Sequence, residues 1–573
     1  MKLNGARILC ESLRREGVNT IFGLPGGVTI PLYDVFPEYP DLRHILVRHE
    51  ENAAFMADGY ARTLGRAGVC LATSGPGATN LVTGIANAMM DSVPLVAITG
   101  QVGTPVIGKD AFQETDIQGI TLPITKHNYL VPHVSQLARM VKEAFHIAQT
   151  GRPGPVLVDI PKDVFQTECD FSYPDTLDLP GYHPEIELPL HGVHEAAELI
   201  ARAKRPLILV GHGVILANAY PELARFVRNT GIPVATTLLG ISAFPRSHPL
   251  NFGMVGMHGM AHTNLAVSEC DLLLGIGMRF DDRVTGKVSA FAPNAKIIHL
   301  EIDPAEVDKT IKTTVALIGD LKRSLSELNK ALEARGAAGE PVRMPGEWVG
   351  RINAWQGDRT KSHDFRSDNV VLPPYVVKEL YRLSTPPTII TTDVGQHQMW
   401  AAQYFNYDGP NTWLSSGGLG AKGYGLPSAM GAKVARPEAT VWAVCGDGGF
   451  QMSIPELACC VQERIPVKIC ILNNQHLGMV RQWQELFHNK NYVATPLFSP
   501  DFVKLGAAYG IPAWNVNKPG DVTAAIEGAL ATDGPALINF MVGTEESVYP
   551  MIPAGRTIEE MMERTAQFEE MEV

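Results

Sequence analysis

The 573-residue sequence contains no CxxC pair and no Cys/His cluster with the spacing of a zinc site. Its eight cysteines are scattered along the chain, at Cys10, Cys70, Cys169, Cys270, Cys445, Cys459, Cys460 and Cys470. This usage argues against a disulfide framework and a structural zinc centre. It favours reduced, buried thiols in a cytoplasmic protein.

Long apolar runs and basic clusters are also missing. Apolar stretches such as Pro206–Val210 are strand-length, far below the roughly 20 residues that a membrane-spanning helix needs. The first residues, MKLNGARILCESLRREGV, predict an amphipathic helix of a folded domain rather than a signal peptide. The formal net charge is −12 and no Lys/Arg run occurs. We therefore expect neither a membrane nor a nucleic acid as a partner.

What the sequence does contain is a repeated alternation of strand-like and helix-like segments. Single cores stop growing near roughly 250–300 residues, so the length predicts two to four domains. Breaks rich in proline and glycine, at 171–190 and 335–350, separate three alternating segments. Such alternation predicts parallel sheets with ligands at the carboxyl ends of the strands. We therefore predict an α/β fold of three doubly wound parallel-sheet domains, at residues 1–170, 190–335 and 365–573, with a polar C-terminal tail.

The third segment contains the most specific pattern. Strand-like TVWAVC runs into GDGG at 446–449, and the next strand-like run, VKICIL, ends just before Asn474. One strand–helix–strand unit brings Asp447 and Asn474 to the same sheet edge. Mg²⁺ prefers carboxylate, amide and carbonyl oxygens beside phosphate oxygens, and glycines let the backbone approach phosphate. The pattern predicts a metal–diphosphate site with Asp447, Asn474 and the turn at His476 as ligands. The alternative is that GDGG is only a tight turn.

This spacing resembles the thiamine-diphosphate fingerprint, and nearly the whole chain resembles the acetohydroxyacid synthase family. The stretches RFDDRVTGK (279–287) and MVRQW (479–483) favour this family over other thiamine-diphosphate enzymes. The other matching stretches are FGLPGG (22–27), RHEENAAFMADGYAR (48–62), TSGPGATN (73–80), DAFQE (110–114), TKHNYLV (125–131), GRPGPVLVDIPKD (151–163), MHG (257–259), DVGQHQMWAAQ (393–403) and YPMIPAG (549–555).

The resemblance implies the catalytic (large) subunit of an enzyme that decarboxylates pyruvate and transfers the two-carbon unit. The acceptor is a second pyruvate or 2-ketobutyrate, in the first common step of branched-chain amino acid biosynthesis. The implied cofactors are thiamine diphosphate, Mg²⁺ and FAD, held by a pyrimidine-binding, a central FAD-binding and a diphosphate-binding domain. The implied assembly is a homodimer or homotetramer with active sites between the first domain of one subunit and the third of another. Whether a small regulatory subunit binds is left open.

Glu50 is the residue on which the implied chemistry depends most. In the resembling family the matching Glu hydrogen-bonds the aminopyrimidine ring, which promotes removal of the proton from the thiazolium carbon. The alternative is a solvated surface glutamate. Further thiamine-diphosphate contacts implied by the resemblance are Pro25, Gly26, Thr73, Gln396, His397, Gln398, Gly420, Lys422, Gly446, Asp447, Gly448, Gly449, Asn474, His476, Leu477, Gly478, Met479 and Val480.

The resemblance also assigns residues to the substrates. Arg283 matches an arginine thought to hold the acceptor carboxylate, a task that suits a guanidinium fork. Its alternative role is an ion pair with Asp281 or Asp282. Trp483 matches the residue that contacts the ethyl group of 2-ketobutyrate, and its alternative is a core position. Three further residues match a substrate channel of the neighbouring subunit: Phe112, Gln113 and Lys126. Their alternative roles are structural.

The middle segment resembles the FAD-binding domain of this family, where FAD is structural, although the segment lacks a full GxGxxG. RFDDRVTGK favours FAD here, because related acetolactate synthases with a flavin-free middle domain lack it. The implied FAD contacts are Arg152, Gly211, Gly213, Thr237, Leu238, Met257, His258, Gly275, Arg279, Arg283, Val284, Glu301, Ile302 and Asp320.

Two residues depart from the family pattern. Lys422, in GLGAKGYG, stands where the family commonly has a Met that supports the bent cofactor, and Leu24 replaces a frequent Tyr. The Lys422 stem could support the cofactor while the ammonium reaches a polar partner or the solvent-facing mouth of the site. Alternatively, the ammonium lies near the cationic thiazolium, or the alignment slips and Leu419 gives the support.

Three other functions are compatible with this architecture. They are a flavin-dependent pyruvate oxidase, another thiamine-diphosphate carboligase, and a non-catalytic binding protein on a retired enzyme fold. The presence of Glu50, Asp447 and Asn474 argues against the last of these, and Glu50 with Trp483 argues against a glyoxylate carboligase. Oxygen uptake with pyruvate would distinguish an oxidase.

Overall fold

The computed structural model describes residues 1–339, 346–360 and 365–563. These residues form three six-stranded parallel sheets and one short antiparallel pair, which confirms the predicted α/β fold. The inner strands of the three parallel sheets are buried along nearly their whole length, as their near-continuous apolar sequences require. Within the described ranges, no helix is both long and apolar enough to cross a membrane.

The first unit contains eight strands and eight α-helices. The strands are β1 (Lys2–Asn4), β2 (Thr20–Gly23), β3 (Arg43–Leu46), β4 (Gly68–Ala72), β5 (Leu95–Gln101), β6 (His127–Leu130), β7 (Pro155–Pro161) and β8 (Glu168–Asp170). The helices are α1 (Gly5–Arg15), α2 (Ile30–Val35), α3 (Glu50–Leu64), α4 (Pro76–Asn80), α5 (Val82–Asp91), α6 (Ile117–Thr121), α7 (Val134–Gln149) and α8 (Lys162–Gln166). The sheet order is β3-β2-β4-β5-β7-β6, and β1 pairs antiparallel with β8.

The second unit has a sheet in which the strand order reverses at its centre. Its strands are β9 (Pro206–Val210), β10 (Val234–Thr236), β11 (Asn251–Met254), β12 (Leu272–Ile276), β13 (Lys296–Glu301) and β14 (Val315–Ile318). Its helices are α9 (Leu190–Arg202), α10 (Gly213–Leu216), α11 (Tyr220–Thr230), α12 (Ala261–Glu269), α13 (Asp282–Thr285) and α14 (Leu321–Ala337). The order β11-β10-β9-β12-β13-β14 is that of a dinucleotide-binding sheet.

The third unit follows the helix α15 (Gly346–Thr360). Its strands are β15 (Thr388–Thr392), β16 (Trp413–Ser415), β17 (Thr440–Gly446), β18 (Lys468–Asn473), β19 (Ala513–Val516) and β20 (Ala536–Met541). Its helices are α16 (Pro373–Leu383), α17 (Gln396–Tyr404), α18 (Gly425–Ala435), α19 (Asp447–Ser453), α20 (Glu456–Gln462), α21 (Gly478–Phe487), α22 (Phe502–Ala508) and α23 (Val522–Leu530). The order β16-β15-β17-β18-β20-β19 repeats that of the first sheet, so both share one topology.

The first and third units share one hydrophobic core, formed where α3 packs against α18. A Cβ atom on Gly59 would overlap the Ser428 carbonyl, and one on Gly431 would overlap the Met56 carbonyl. The two helices therefore approach at backbone distance, which only glycine permits at these positions.

The segments between the units match the predicted breaks only in part. Residues 171–189 contain no helix or strand, as expected. The predicted break at 335–350 is wrong at both ends, because α14 continues to Ala337 and α15 begins at Gly346. The reason is burial: Trp348 and Ile352, one turn apart on α15, pack into the core of the second unit. Residues 340–345 lie outside the described residues, as do 564–573 of the predicted tail.

Candidate cofactor and substrate site

Each sheet has a point where the strand order reverses, and ligands of open α/β sheets bind at such points. The reversals lie between β2 and β4, between β9 and β12, and between β15 and β17. FGLPGG and TSGPG follow the first pair of strands, GHG and GMRF the second, and DVGQHQ and GDGG the third. The fold therefore places the sequence motifs at three sheet crevices.

A small cavity lies at the crevice of the third sheet. Its wall contains twelve of the predicted thiamine-diphosphate contacts: Gln396, His397, Lys422, Gly446, Asp447, Gly448, Gly449, Asn474, His476, Leu477, Gly478 and Met479. The other lining residues, which were not predicted, are Val394, Gly395, Trp400 and Leu472. Two of the other predicted contacts, Gln398 and Gly420, line a larger neighbouring cavity instead. Val480 lines neither cavity and is partly exposed on α21.

Asp447 begins α19 directly after β17, and its carboxyl group is buried at the small cavity. Oδ2 accepts a 2.7 Å hydrogen bond from Ser499 Oγ, while Oδ1 is buried without a partner among the described residues. Burial raises the pKa of this carboxyl group, and the Ser499 hydrogen bond opposes the rise. A divalent cation at Oδ1 would supply the missing partner, so this atom fits the implied metal.

The turn after β18 holds the other two predicted metal ligands. Asn474 Oδ1 accepts a 3.1 Å hydrogen bond from the His476 backbone N–H, and His476 Nδ1 lies 2.8 Å from the Asn474 carbonyl oxygen. Asn474 Nδ2 donates to Gln396 Oε1 at 3.2 Å. These contacts hold Asn474 and His476 on the same cavity wall as Asp447.

The glycines of this wall are required by close packing as well as by turn geometry. A Cβ on Gly449 would overlap Asp393 Oδ2, and one on Gly478 would overlap Gln396 Oε1. A Cβ on Gly446 would lie 2.8 Å from His397 Nδ1. Larger residues at these positions would clash with neighbouring side chains, and the glycine backbone that lines the cavity fits a phosphate group.

Of the GQHQ side chains, only His397 has an unused polar atom at the cavity. Its Nε2 is buried without a partner among the described residues, and burial lowers the pKa of the ring to about 3. Gln396 Nε2 instead donates to Gln482 Oε1 at 2.9 Å, and Gln398 Nε2 donates to Ser415 Oγ at 2.7 Å. Gln396 therefore stabilises the wall of the small cavity, and Gln398 that of the larger one.

Glu50 lies at the crevice of the first sheet, as the first residue of α3, and only 6% of it is exposed. Its Oε2 accepts a 2.9 Å hydrogen bond from Asn80 Nδ2. A Cβ on Gly77 would lie 3.3 Å from Glu50 Oε1, and one on Gly26 would overlap the Thr73 side chain. Thr73 Oγ1 is buried without a partner in the described part of the chain. The predicted pyrimidine contacts are thus brought together.

Gln113 and Pro25 belong to the same neighbourhood. Gln113 has a positive φ of 60°, and its Cβ would lie 2.9 Å from a Cβ on Gly75 of the TSGPG loop. Pro25 adjoins Gly26 and is exposed, and Phe112 is 89% exposed. Glu50, Thr73 and Gln113 line neither the small cavity nor its larger neighbour.

The larger cavity, of about 1100 Å³, lies at the crevice of the second sheet and extends to both other units. Twelve predicted FAD contacts line it: Arg152, Gly213, Thr237, Leu238, Met257, His258, Arg279, Arg283, Val284, Glu301, Ile302 and Asp320. Gly211 and Gly275 do not, because they pack against the Gly277 carbonyl and the Phe280 ring behind the wall. The volume and the strand order suit a dinucleotide.

The two predicted acceptor residues line this larger cavity. Arg283 Nε lies 3.6 Å from Asp282 Oδ2, so the alternative ion pair is present, but more than half of the Arg283 side chain stays exposed. Trp483 packs edge-on against Phe487, with ring centroids 5.4 Å apart, on the same helix as Met479. Val394, Gly395 and Met479 line both cavities, so the two spaces adjoin.

Lys126 lines neither cavity. Its ammonium donates to the carbonyl oxygens of Ile147 and Thr150 and to the Tyr182 hydroxyl. Burial lowers its pKa to about 8. Its role in a substrate channel stays a prediction.

Comparison with known proteins gives the family. Three thiamine pyrophosphate enzyme models match: the N-terminal TPP binding domain over 3–120, the central domain over 193–328 and the C-terminal TPP binding domain over 393–540. The acetolactate synthase large subunit IlvB1 of Mycobacterium tuberculosis is 49% identical over 566 residues, covering 98% of this chain and 91% of that protein. The chain belongs to the acetolactate synthase family.

Two further relatives have the same extent. The acetolactate synthase large subunit of Corynebacterium glutamicum is 47% identical over 560 residues, covering 97% of this chain and 89% of that protein. The chloroplastic acetolactate synthase of Arabidopsis thaliana is 47% identical over 570 residues, covering 97% of this chain and 84% of that protein. The similarity to acetolactate synthases thus spans all three units.

Lys422, where this member departs from the family pattern, lies on the wall of the small cavity. Leu419 lines the larger cavity instead and is partly exposed. Leu24 is half-buried and packs against the core shared by the first and third units.

Some residues that line or contact these cavities belong to no recognisable sequence motif. Ser499, which binds Asp447, comes from a loop without a distinctive pattern. Pro184, Glu185 and Ile186 of the predicted linker line the larger cavity. Four prolines in 171–190 indicate an irregular segment, but no signal in the sequence shows what it covers.

Proposed function

We propose that this chain is the catalytic subunit of an acetohydroxyacid synthase. It decarboxylates pyruvate and transfers the two-carbon unit to a second pyruvate, which gives 2-acetolactate, or to 2-ketobutyrate, which gives 2-aceto-2-hydroxybutyrate. The names of the relatives support this function. The observation that carries it is the junction of the two cavities through Val394, Gly395 and Met479, since it joins the diphosphate cradle to the space beside Arg283 and Trp483.

Thiamine diphosphate and Mg²⁺ fit the small cavity. Asp447, Asn474 and the turn at His476 would hold the cation, and the Gly446–Gly449 backbone would receive the diphosphate. When bound, thiamine diphosphate supplies the carbanion chemistry that decarboxylation of a 2-keto acid requires. The unpartnered Oδ1 of Asp447 supports this assignment.

Glu50 would accept and return the proton that the aminopyrimidine exchanges. Its buried carboxylate is oriented by Asn80, which donates to Oε2 and leaves Oε1 for the ring. Arg283 would hold the acceptor carboxylate through its guanidinium fork, and Trp483 would contact the acceptor side chain. FAD would occupy the larger cavity, whose wall contains twelve of its fourteen predicted contacts.

Glu50 lines neither cavity of its own chain, which supports an active site completed by a second subunit. We therefore propose a homodimer or homotetramer that acts in the cytoplasm. Relatives named as large subunits support a small regulatory subunit as a further partner. The domain limits at 1–170, 190–335 and 365–573 stay predictions.

The test is to incubate the purified chain with pyruvate, thiamine diphosphate and Mg²⁺ and to identify the product by NMR while oxygen is monitored. We expect 2-acetolactate without oxygen uptake, and no product from Asp447→Ala. Oxygen consumption in proportion to pyruvate would instead indicate an oxidase. Light scattering of the same sample reports the oligomeric state.

A further inference from the structure

Lys422 is the one Lys or Arg among the residues that line the small cavity. The nearby His397 is not a cation at neutral pH, because burial lowers its pKa to about 3. Within residues 1–339, 346–360 and 365–563, no hydrogen bond or ion pair joins the Lys422 ammonium to a protein acceptor. The cavity wall therefore contains a partly buried ammonium group to which no described residue is hydrogen-bonded.

The backbone on both sides of Lys422 is fixed. The Gly423 N–H donates to Asp393 Oδ1 at 2.8 Å, and the Ala421 N–H donates to Ser416 Oγ at 2.8 Å. The positive charge of Lys422 acts on Asp393, where it opposes the rise in pKa that burial causes. The side chain therefore extends into the cavity from a loop whose position is set by buried groups.

The implied ligands together carry a net negative charge, which this cation would offset. A diphosphate bound with one divalent cation and one carboxylate, that of Asp447, retains an excess of negative charge. Lysine binds phosphate groups as a compact point charge, and its attraction is stronger where burial lowers the local dielectric. We propose that the Lys422 ammonium is a direct ligand of the cofactor's diphosphate group in this chain. This inference rests on the proposed function and goes beyond it.

The proposal predicts how binding of a bare diphosphate depends on this residue. Calorimetric titration of the full chain, freed of thiamine diphosphate, uses inorganic pyrophosphate with Mg²⁺ as the probe. Lys422→Met should weaken its binding roughly tenfold to a hundredfold, the usual value of a charge-assisted hydrogen bond. Lys422→Arg should restore most of the affinity. Lys518→Met is the matched control, because Lys518 is exposed and lines neither cavity.

Salt gives an independent readout, because screening weakens a charge contact. The affinity of the wild-type chain should fall more steeply with NaCl than that of Lys422→Met. Equal affinities and equal salt slopes would overturn the proposal and assign Lys422 a support role through its stem. Tighter binding of thiamine diphosphate by Lys422→Met would also overturn it, because the ammonium would then oppose the thiazolium. If thiamine diphosphate did not bind while the pyrophosphate affinities of the wild-type chain and Lys422→Met still differed, the proposed function would be rejected and the role of Lys422 would stand.

Discussion

Two buried polar clusters share the loop 416–424, and they differ in how completely their atoms are hydrogen-bonded. The domain cluster consists of Asp58, Arg62, Asn87, Asp91 and Tyr424. Arg62 donates to Asp58 Oδ1 at 2.6 Å and to Asp91 Oδ2 at 2.8 Å. Tyr424 OH donates to Asp58 Oδ1 at 2.6 Å, and Asn87 Nδ2 donates to Asp58 Oδ2 at 3.1 Å. Asp91 Oδ1 accepts from the loop itself, from the Gly418 N–H at 2.7 Å.

The cavity cluster consists of Asp393, His397 and Asp447, at the small cavity or directly behind its wall. Each of these residues has one buried polar atom without a partner among the described residues, respectively Oδ2, Nε2 and Oδ1. The same loop contacts this cluster through the Gly423 N–H, which donates to Asp393 Oδ1.

The difference is the one expected between a structural cluster and a ligand site. Buried polar atoms are nearly always hydrogen-bonded, because an unsatisfied one costs about 1–3 kcal/mol. The domain cluster meets this rule and fixes the loop between the first and third units. The cavity cluster violates it at three residues, of which His397 and Asp447 line the small cavity, where an external ligand would complete their bonding.

The largest expected effect is loss of the metal ligand. Asp447→Ala should abolish Mg²⁺-dependent retention of thiamine diphosphate, a loss of at least roughly a hundredfold, since even partners behind the first ligands are worth 10–100-fold. The cofactor-free chain should lose little stability, because the only side-chain partner lost is Ser499 at Oδ2, and the cost of burying the unpartnered Oδ1 is removed with it. Calorimetry with the cofactor and thermal unfolding without it measure the two effects. Asp501→Ala, which removes a carboxylate that caps α22 outside the cavity, is the control.

Glu50→Gln should lower kcat by about 10²–10⁴-fold at saturating cofactor, the usual value of an acid–base group, and leave the fold intact. The adjacent Glu51→Gln removes the same charge one residue further along α3 and should change kcat little. Wild-type turnover of Glu50→Gln, measured as 2-acetolactate formation, would reject the assignment.

Arg62→Leu tests the other side of the comparison, because it damages the domain cluster, in which every buried polar atom is hydrogen-bonded. It leaves the Asp58 and Asp91 carboxylates buried without their cation, which should destabilise the chain by about 3–5 kcal/mol. Thermal unfolding should show the loss in the cofactor-free state. Arg14→Leu breaks a surface ion pair with Asp41 instead and should cost at most about 1 kcal/mol. Equal shifts for the two variants would contradict the distinction between the clusters.

The sequence was sufficient for the parts of the site that depend on local geometry. Asp447 and Asn474 directly follow two neighbouring parallel strands, so their meeting at one sheet edge follows from strand–helix alternation. The domain cluster could not be predicted, because Arg62 and Tyr424 are far apart along the chain and meet only where α3 packs on α18. The helix α15 was missed because burial of Trp348 and Ile352 against the second unit outweighs the flanking glycines and prolines.

The smallest effect concerns the larger cavity, which is lined by Asp91 of the domain cluster and adjoins the small cavity at Met479. Trp483→Leu should lower the preference for 2-ketobutyrate over pyruvate by roughly tenfold, because one methylene in an apolar pocket is worth about 1–3 kcal/mol. Competition between the two acceptors gives the product ratio directly.

Phe487→Leu is the matched control: it removes the edge contact with Trp483 but not the cavity wall, since Phe487 does not line the cavity. If the product ratio changed in both variants, the packing of Trp483 on Phe487 would act by setting the conformation of α21. A changed ratio in Trp483→Leu alone would support contact between the indole and the acceptor.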